Sequence, residues 1–246
     1  MAISTAVWAV AGRRLACAAG TVVGDRYHAN FDVLHLDPGR PLAVVADGMG
    51  DSEGSAVASR TTVTVFAREA ATASGPAALR AAVAEVQRTV RAAGRNLPGL
   101  TGCTLTAFAG DGEGGAWLVQ LGDSRAYRIR DGILELLTAD HTAAWLGVLN
   151  GWYRPDSPEG YLARHRLTRF AGHPGMPEPD LLNISLRPGD LLLLCTDGVS
   201  DQIDDRTLAD LLTAEKEPAA TVERVLARTL AAGGADNATA VVIRVG

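Results

Sequence analysis

The chain is nearly devoid of lysine: Lys216 is the only one, and arginine supplies the other basic residues. Together with the richness in alanine and glycine, this reflects a GC-rich genome more than a function. There is no basic surplus either. The formal net charge is −5, which excludes the positive surface a nucleic-acid binder normally carries. Cysteine is scarce, and Cys17, Cys103 and Cys195 are an odd number with no Cys-x-x-Cys pair among them. With small or apolar neighbours, they are expected to be buried free thiols in a reducing compartment. Long hydrophobic runs are missing. The start "MAISTAVWAVAGRR" holds an apolar octet, too short to span a bilayer, and its basic pair follows rather than precedes it. A cytoplasmic protein with no targeting segment and no membrane partner is therefore expected. There is no internal repeat and no low-complexity linker.

What is present is ordinary globular composition, 47% hydrophobic and 21% charged over 246 residues, enough for one large domain or two small ones. Strand-like runs fall near 15–20, 31–36, 42–46, 102–109, 116–121, 125–130, 133–137, 181–186, 191–196 and 239–244. Helical periodicity predicts a pair at about 53–73 and 76–95, the second with Leu79, Val83, Val86 and Val90 on one stripe. Pro76 suits that helix's first turn. Two more helices fit 205–214, capped by Asp204, and 218–232. The stretch 139–180 is irregular and rich in proline, as functional flaps often are. Helices in pairs rather than alternating with strands predict an α+β fold with antiparallel sheets.

Four Asp-Gly pairs punctuate the chain. Asp131-Gly132, between "AYRIR" and "ILELL", reads as a two-residue hairpin. Asp111-Gly112, in "GDGEGG", reads as a polar loop. Asp47-Gly48 and Asp197-Gly198 differ, because each ends an unbroken apolar run ("LAVVA", "LLLLCT") with no second strand directly after it. Such runs predict strands buried on both faces. A carboxylate at the end of one is partly desolvated and costly unless a cation pairs with it. Three further acids sit at strand ends: Asp236 in "GGADNATAVV", Asp123 in "LVQLGDSRAY" and Asp32 in "RYHANFD". Singly, each has an ordinary use as a turn, cap or solvated residue. As a set, without a His or Cys cluster, they describe an oxygen-ligand site for a hard divalent ion. Two such ions about 4 Å apart can deprotonate a water and clamp a phosphoryl group.

The ordered series "VADGMGDSEG" (45–54), "TGCTL" (101–105), "LGDSRAY" (121–127), "LTADHT" (137–142), "LLCTDGVSD" (193–201) and "ADNATAVV" (235–242) resembles the metal-dependent protein phosphatases of the PPM, or type 2C, class, in their bacterial form. The match runs over roughly 13–244 as one domain, leaving 1–12 as a short N-terminal extension. The resemblance implies a four-layer α-β-β-α sandwich, two antiparallel sheets flanked by helix pairs. It implies two to three divalent ions, Mn²⁺ or Mg²⁺. Asp47 would bridge two of them, with the Gly48 carbonyl on one and Asp197 and Asp236 on the other. Asp123, with Asp197, would hold a third, weaker ion. Asp32 would orient metal-bound water, and Arg26 would clamp phosphate.

Some residues depart from the family pattern. Phe31 replaces a polar residue, and Arg26 stands one residue further from Asp32, a spacing that a bulge between Tyr27 and Asn30 would absorb. Met49 stands where eukaryotic members carry a histidine, so the usual candidate general acid is absent. His28, His35, His141, His165 and His173 are each expected to be structural. The implied activity is hydrolysis of phosphoserine and phosphothreonine by a bridging hydroxide, with no phosphoenzyme. The partners would be phosphorylated substrates of Ser/Thr kinases, and the protein a monomer. The alternatives are a catalytically inactive metal-binding module of the same fold and a phosphatase of small phosphoesters.

Overall fold

The unbroken apolar runs are strands covered on both faces. The computed structural model describes residues 1–73, 75–110, 115–154 and 156–246. In chain order its elements are β1 (Ile3–Val10), β2 (Arg13–Val22), β3 (Val33–Leu36), β4 (Leu42–Ala46), α1 (Glu53–Ala70), α2 (Gly75–Ala93), β5 (Leu105–Gly110), β6 (Ala116–Leu121), β7 (Arg125–Arg130), β8 (Ile133–Leu136), α3 (Ala143–Leu149), α4 (Pro158–Arg164), β9 (Asp180–Asn183), β10 (Leu191–Cys195), α5 (Asp197–Ser200), α6 (Asp205–Ala214), α7 (Pro218–Ala231) and β11 (Ala238–Val245). One sheet has the order β1-β2-β11-β10-β7-β8 and the other β3-β4-β5-β6-β9. All strand neighbours run antiparallel.

Side-chain alternation along each strand divides the core into three slabs. Ala43 and Val45 of β4 meet Leu192 and Leu194 of β10 between the two sheets, with Phe108, Leu118 and Ile243. The other face of β4, Val44 and Ala46, packs on Phe66, Val83, Val86 and Val90 of α1 and α2. The other face of β10, Leu191, Leu193 and Cys195, packs on Leu208, Leu212, Val222 and Leu226 of α6 and α7. This is the expected four-layer sandwich. Both faces of β4 and β10 are apolar because each is a central strand with a sheet on one side and helices on the other.

Several local expectations hold. Leu79, Val83, Val86 and Val90 are buried in α2, and Asp204 caps α6 by accepting from Thr207 N at 2.9 Å. Asp131 (φ 52°) and Gly132 (φ 77°) form the β7–β8 hairpin turn. The Asp111-Gly112 pair lies outside the described residues.

Others are corrected. Residues 3–10, set apart as part of an extension, form β1 and pair along their whole length with β2. Its inward residues, Ala6, Trp8 and Val10, are buried, but Val7 and Ala9 on the other face are apolar too, so no period of two shows in the sequence. The turn is Ala11-Gly12, with Ala11 at φ 52°, which is not a residue pair that announces a hairpin. The run expected at 102–109 starts as a strand only at Leu105. Cys103 instead bridges to Gly48 on one side and Ala171 on the other. Within the irregular stretch, α3 and α4 form a two-helix flap between β8 and β9. Its roots are tied by the bridge between Thr142 and Leu167.

Candidate metal centre

The acids converge because the sandwich puts the ends of central strands from both sheets at one edge. Asp47 follows β4, and its backbone is gripped by one residue: its N donates to Thr104 Oγ1 at 2.9 Å and its O accepts from Thr104 N at 2.8 Å. The second of these, with Met49 N donating to Gly102 O, makes the Gly48–Cys103 bridge, so the Gly48 carbonyl is not used in it. Asp197 opens the single turn of α5 directly after β10. Asp236 stands just before β11, its Oδ1 accepting from Asn237 N at 2.7 Å.

These segments touch with no side chain between them. A Cβ on Gly198 would collide with the Asn237 carbonyl, and one on Gly24 with the Asp236 carbonyl. Glycine at both positions lets the end of β2, α5 and the 236–237 loop close on each other.

Asp32 is 5% exposed. Its Oδ2 accepts from Thr196 Oγ1 at 2.8 Å and from Thr239 Oγ1 at 2.7 Å, which aims the other oxygen away from the hydroxyls. That oxygen, Oδ1, is buried without a partner, as is Oδ1 of Asp197. Asp123 lies in the β6–β7 turn. Thr104 Oγ1 and Ser124 Oγ are 2.7 Å apart, so the residue that grips Asp47 also touches the neighbour of Asp123.

Asp197 is the electrostatic hub. Its charge helps to raise the pKa of Asp32, Asp47, Asp123, Asp201 and Asp236, in each case after burial as the largest cause. Asp32 is pushed up to about 7 and Asp236 to about 6. Asp47 and Asp123 stand well above the ordinary carboxylate range, and Asp197 is within hydrogen-bond reach of Asp47. Carboxylates crowded together without a cation relieve their repulsion by holding protons. Among the described residues no three ligating side chains stand in ready metal-binding geometry. The donor set is nonetheless all carboxylate and carbonyl oxygen, with two buried oxygens orphaned, and this suits a hard divalent ion.

A cavity of about 780 Å³ opens over Asp197, Asp201 and Asp236. Arg26 and Tyr27 also line it, so Arg26, on the turn at residues 25–26, shares this cavity with the acids despite the altered spacing. Arg26 is exposed and, among the described residues, paired with no carboxylate. Arg125, also at the cavity, is already held bidentately by Asp140 at 2.9 and 2.7 Å. Trp145 and Tyr161 of the flap also line the cavity. Asp32, Asp47 and Asp123 are not in the lining and join the centre through their coupling to Asp197.

Sequence reasoning singled out every acid of the centre except Asp201, although "LLCTDGVSD" contains it. It also missed the clamping roles of Thr196 and Thr239, and Tyr27, which lines the cavity with Asp236. The three thiols are buried and free, and burial pushes each to about 12, which leaves no thiolate nucleophile.

The family model described as Protein phosphatase 2C matches residues 16–238. The Ser/Thr protein phosphatase PstP of Mycobacterium tuberculosis is 36% identical over 212 residues, 83% of this chain and 40% of that protein. The chain thus spans well under half the length of this relative. The PPM Ser-Thr phosphatase MsPP of Mycobacterium smegmatis superposes with a TM-score of 0.82 at 35% identity, over 94% of this chain and 98% of that one. A PstP catalytic domain in complex with two manganese ions superposes with a TM-score of 0.77 at 34% identity, with the same coverage. Fold, strand-end acids and similarity over most of its length agree: the chain belongs to the protein phosphatase 2C family.

Proposed function

We propose that the chain is a metal-dependent protein phosphatase acting on phosphoserine and phosphothreonine. The observation that carries this reading is the Asp197 hub, where five further carboxylates share one carboxylate's field beneath a cavity that also presents an unpaired guanidinium. Asp47 with the Gly48 carbonyl, Asp197 and Asp236 would hold two divalent ions, Mn²⁺ or Mg²⁺, and Asp123 with Asp197 a third. The manganese-bound PstP domain supports the first pair. Ions bound there would supply a water made nucleophilic near neutral pH and positive charge to offset the phosphoryl oxygens.

The chain's own residues do the rest. Arg26 offers two parallel N–H donors to a phosphate, a fork that lysine cannot reproduce. Asp32, fixed through Oδ2 by two hydroxyls, presents its unpartnered Oδ1 to accept a hydrogen bond from the attacking water. Trp145 is 41% and Tyr161 61% exposed on the cavity wall, giving the residues that flank a phosphorylated side chain an apolar surface to lie on. This favours a phosphoprotein over a small phosphoester. Among the described residues no helix is long and apolar enough to cross a membrane.

Hydrolysis of a phosphothreonine peptide and of p-nitrophenyl phosphate, each with Mn²⁺, Mg²⁺ or EDTA, tests the reading. Turnover that needs a divalent ion and is faster on the peptide is expected. Peptide hydrolysis unaffected by EDTA, or none with any ion, would overturn it.

A further inference from the structure

His141 is 4% exposed and stands where the flap begins, with hydrogen-bonding atoms committed in four directions. Its Nδ1 accepts from Gly122 N at 3.1 Å. Its backbone N donates to Gly122 O at 3.0 Å, and its backbone O accepts from Thr168 N at 2.8 Å. Its Nε2 lies 3.0 Å from Asp180 Oδ2. A backbone N–H can only donate, so Nδ1 carries no proton, and in the neutral ring Nε2 must be the donor to Asp180. Asp180 is held in turn by Arg169, at 2.6 Å through Oδ1 and 3.2 Å through Oδ2. Burial also lowers the pKa of His141, in keeping with a neutral ring.

Gly122 is the residue before Asp123. On its other side the turn is fixed from the neighbouring strand, by the Thr104–Ser124 hydroxyl pair and by Thr106 Oγ1 donating to Ser124 O at 2.8 Å. The Asp123 carboxylate therefore hangs between two clamps. One belongs to β5. The other is the His141 imidazole, whose unprotonated Nδ1 accepts from Gly122 N.

We propose that His141 is a positioning residue for the Asp123 carboxylate: by accepting from Gly122 N, its Nδ1 holds the turn in the geometry in which this acid would bind a divalent ion. The inference rests on the proposed role of Asp123 as a metal ligand. It does not make His141 a catalytic residue, since the ring points at backbone and at Asp180.

Two isosteres separate the ring's functions. Asparagine puts an acceptor where Nδ1 stands and loses the bond to Asp180. Glutamine puts a donor where Nε2 stands and loses the bond to Gly122. Mn²⁺ titration calorimetry and amide exchange at Gly122 should be measured on wild type, His141→Gln and His141→Asn, each with and without Asp123→Ala.

His141→Gln should weaken the binding step that Asp123→Ala removes by about five- to tenfold, the size of one buried hydrogen bond, and should speed exchange at Gly122. His141→Asn should stay within about twofold to threefold of wild type on both readouts. In the Asp123→Ala background His141→Gln should change Mn²⁺ binding no further, as residues acting through one another are non-additive. The proposal is overturned if glutamine and asparagine behave alike, or if glutamine still weakens Mn²⁺ binding without Asp123. If Asp123→Ala leaves the titration unchanged, Asp123 is no ligand and His141 is only a structural clamp. Wild-type protein that binds Mn²⁺ without hydrolysing phosphopeptide would instead refute the proposed activity and leave this coupling intact.

Discussion

Asp32→Asn should make the metal-free protein more stable, and more so as the pH rises. The carboxyl is buried, accepts two threonine hydroxyls at one oxygen and has no partner at the other. Burial, with the charges of Asp197 and Asp236, outweighs those hydroxyls and carries its pKa from 3.8 to about 7. The folded value lies above the unfolded one, so the group is harmless to folding while both states are protonated. Its cost begins as the unfolded chain ionises and is complete once the pH has passed the folded pKa.

Each tenfold change in proton affinity is worth about 1.4 kcal/mol, so the full cost is about 4 kcal/mol. Asparagine has the same outline, accepts the same two hydroxyls and carries no charge to bury. Urea unfolding in EDTA should show the variant and wild type about equal near pH 4, and the variant about 4 kcal/mol more stable near pH 8. In melting temperature that is about 8–16 °C for a chain of this size. Turnover should fall in the same variant. A difference that does not change with pH, or a variant less stable than wild type near pH 8, would refute the reasoning.

Asp47→Asn or Asp236→Asn should each cut phosphopeptide turnover by at least about 10³-fold with Mn²⁺ present, because no remaining group replaces a lost ligand at this centre; near-normal rates in either would refute the ligand assignment. Arg26→Ala should raise KM for phosphopeptide by roughly 10- to 100-fold, the size of a lost charge-assisted hydrogen bond, and leave the Mn²⁺ titration unchanged. Asp190, buried and bound to Arg130 at 2.8 and 2.7 Å, has its carboxyl pKa lowered, with those bonds opposing the effect of burial. A depressed native pKa stabilises above the unfolded value and stops doing so as the pH falls through it. Asp190→Ala should cost about 3 kcal/mol at neutral pH, and the gap to wild type should narrow as the pH falls below about 4, where the native carboxyl protonates, as read in urea titrations.

The buried centre was legible in the sequence because one physical demand writes itself locally. A strand apolar on both faces that ends in aspartate marks both a core position and a charge that needs a partner, and β4–Asp47 and β10–Asp197 show it in a few residues. What escaped depends on partners far along the chain. Thr196 and Thr239 look like strand-end residues of no special kind until β10 and β11 pair and both hydroxyls meet Asp32, more than 160 residues away. β1 was hidden because its outward face is nearly as apolar as its inward one. The flap helices α3 and α4 are each one to two turns long, within a stretch dense in proline and glycine, and no periodicity is visible over so few residues.

Gly24 and Gly198 give the centre a vulnerability of their own. Neither contributes an atom from a side chain, yet a single methyl group at either would push against the carbonyl of Asp236 or Asn237 and move one of these aspartates relative to another. A descendant of this chain could keep every carboxylate and still lose the arrangement that brings them together. Counting aspartates is then a poor guide to whether the centre is intact; what must be inherited is the empty space that lets three distant segments lie backbone to backbone.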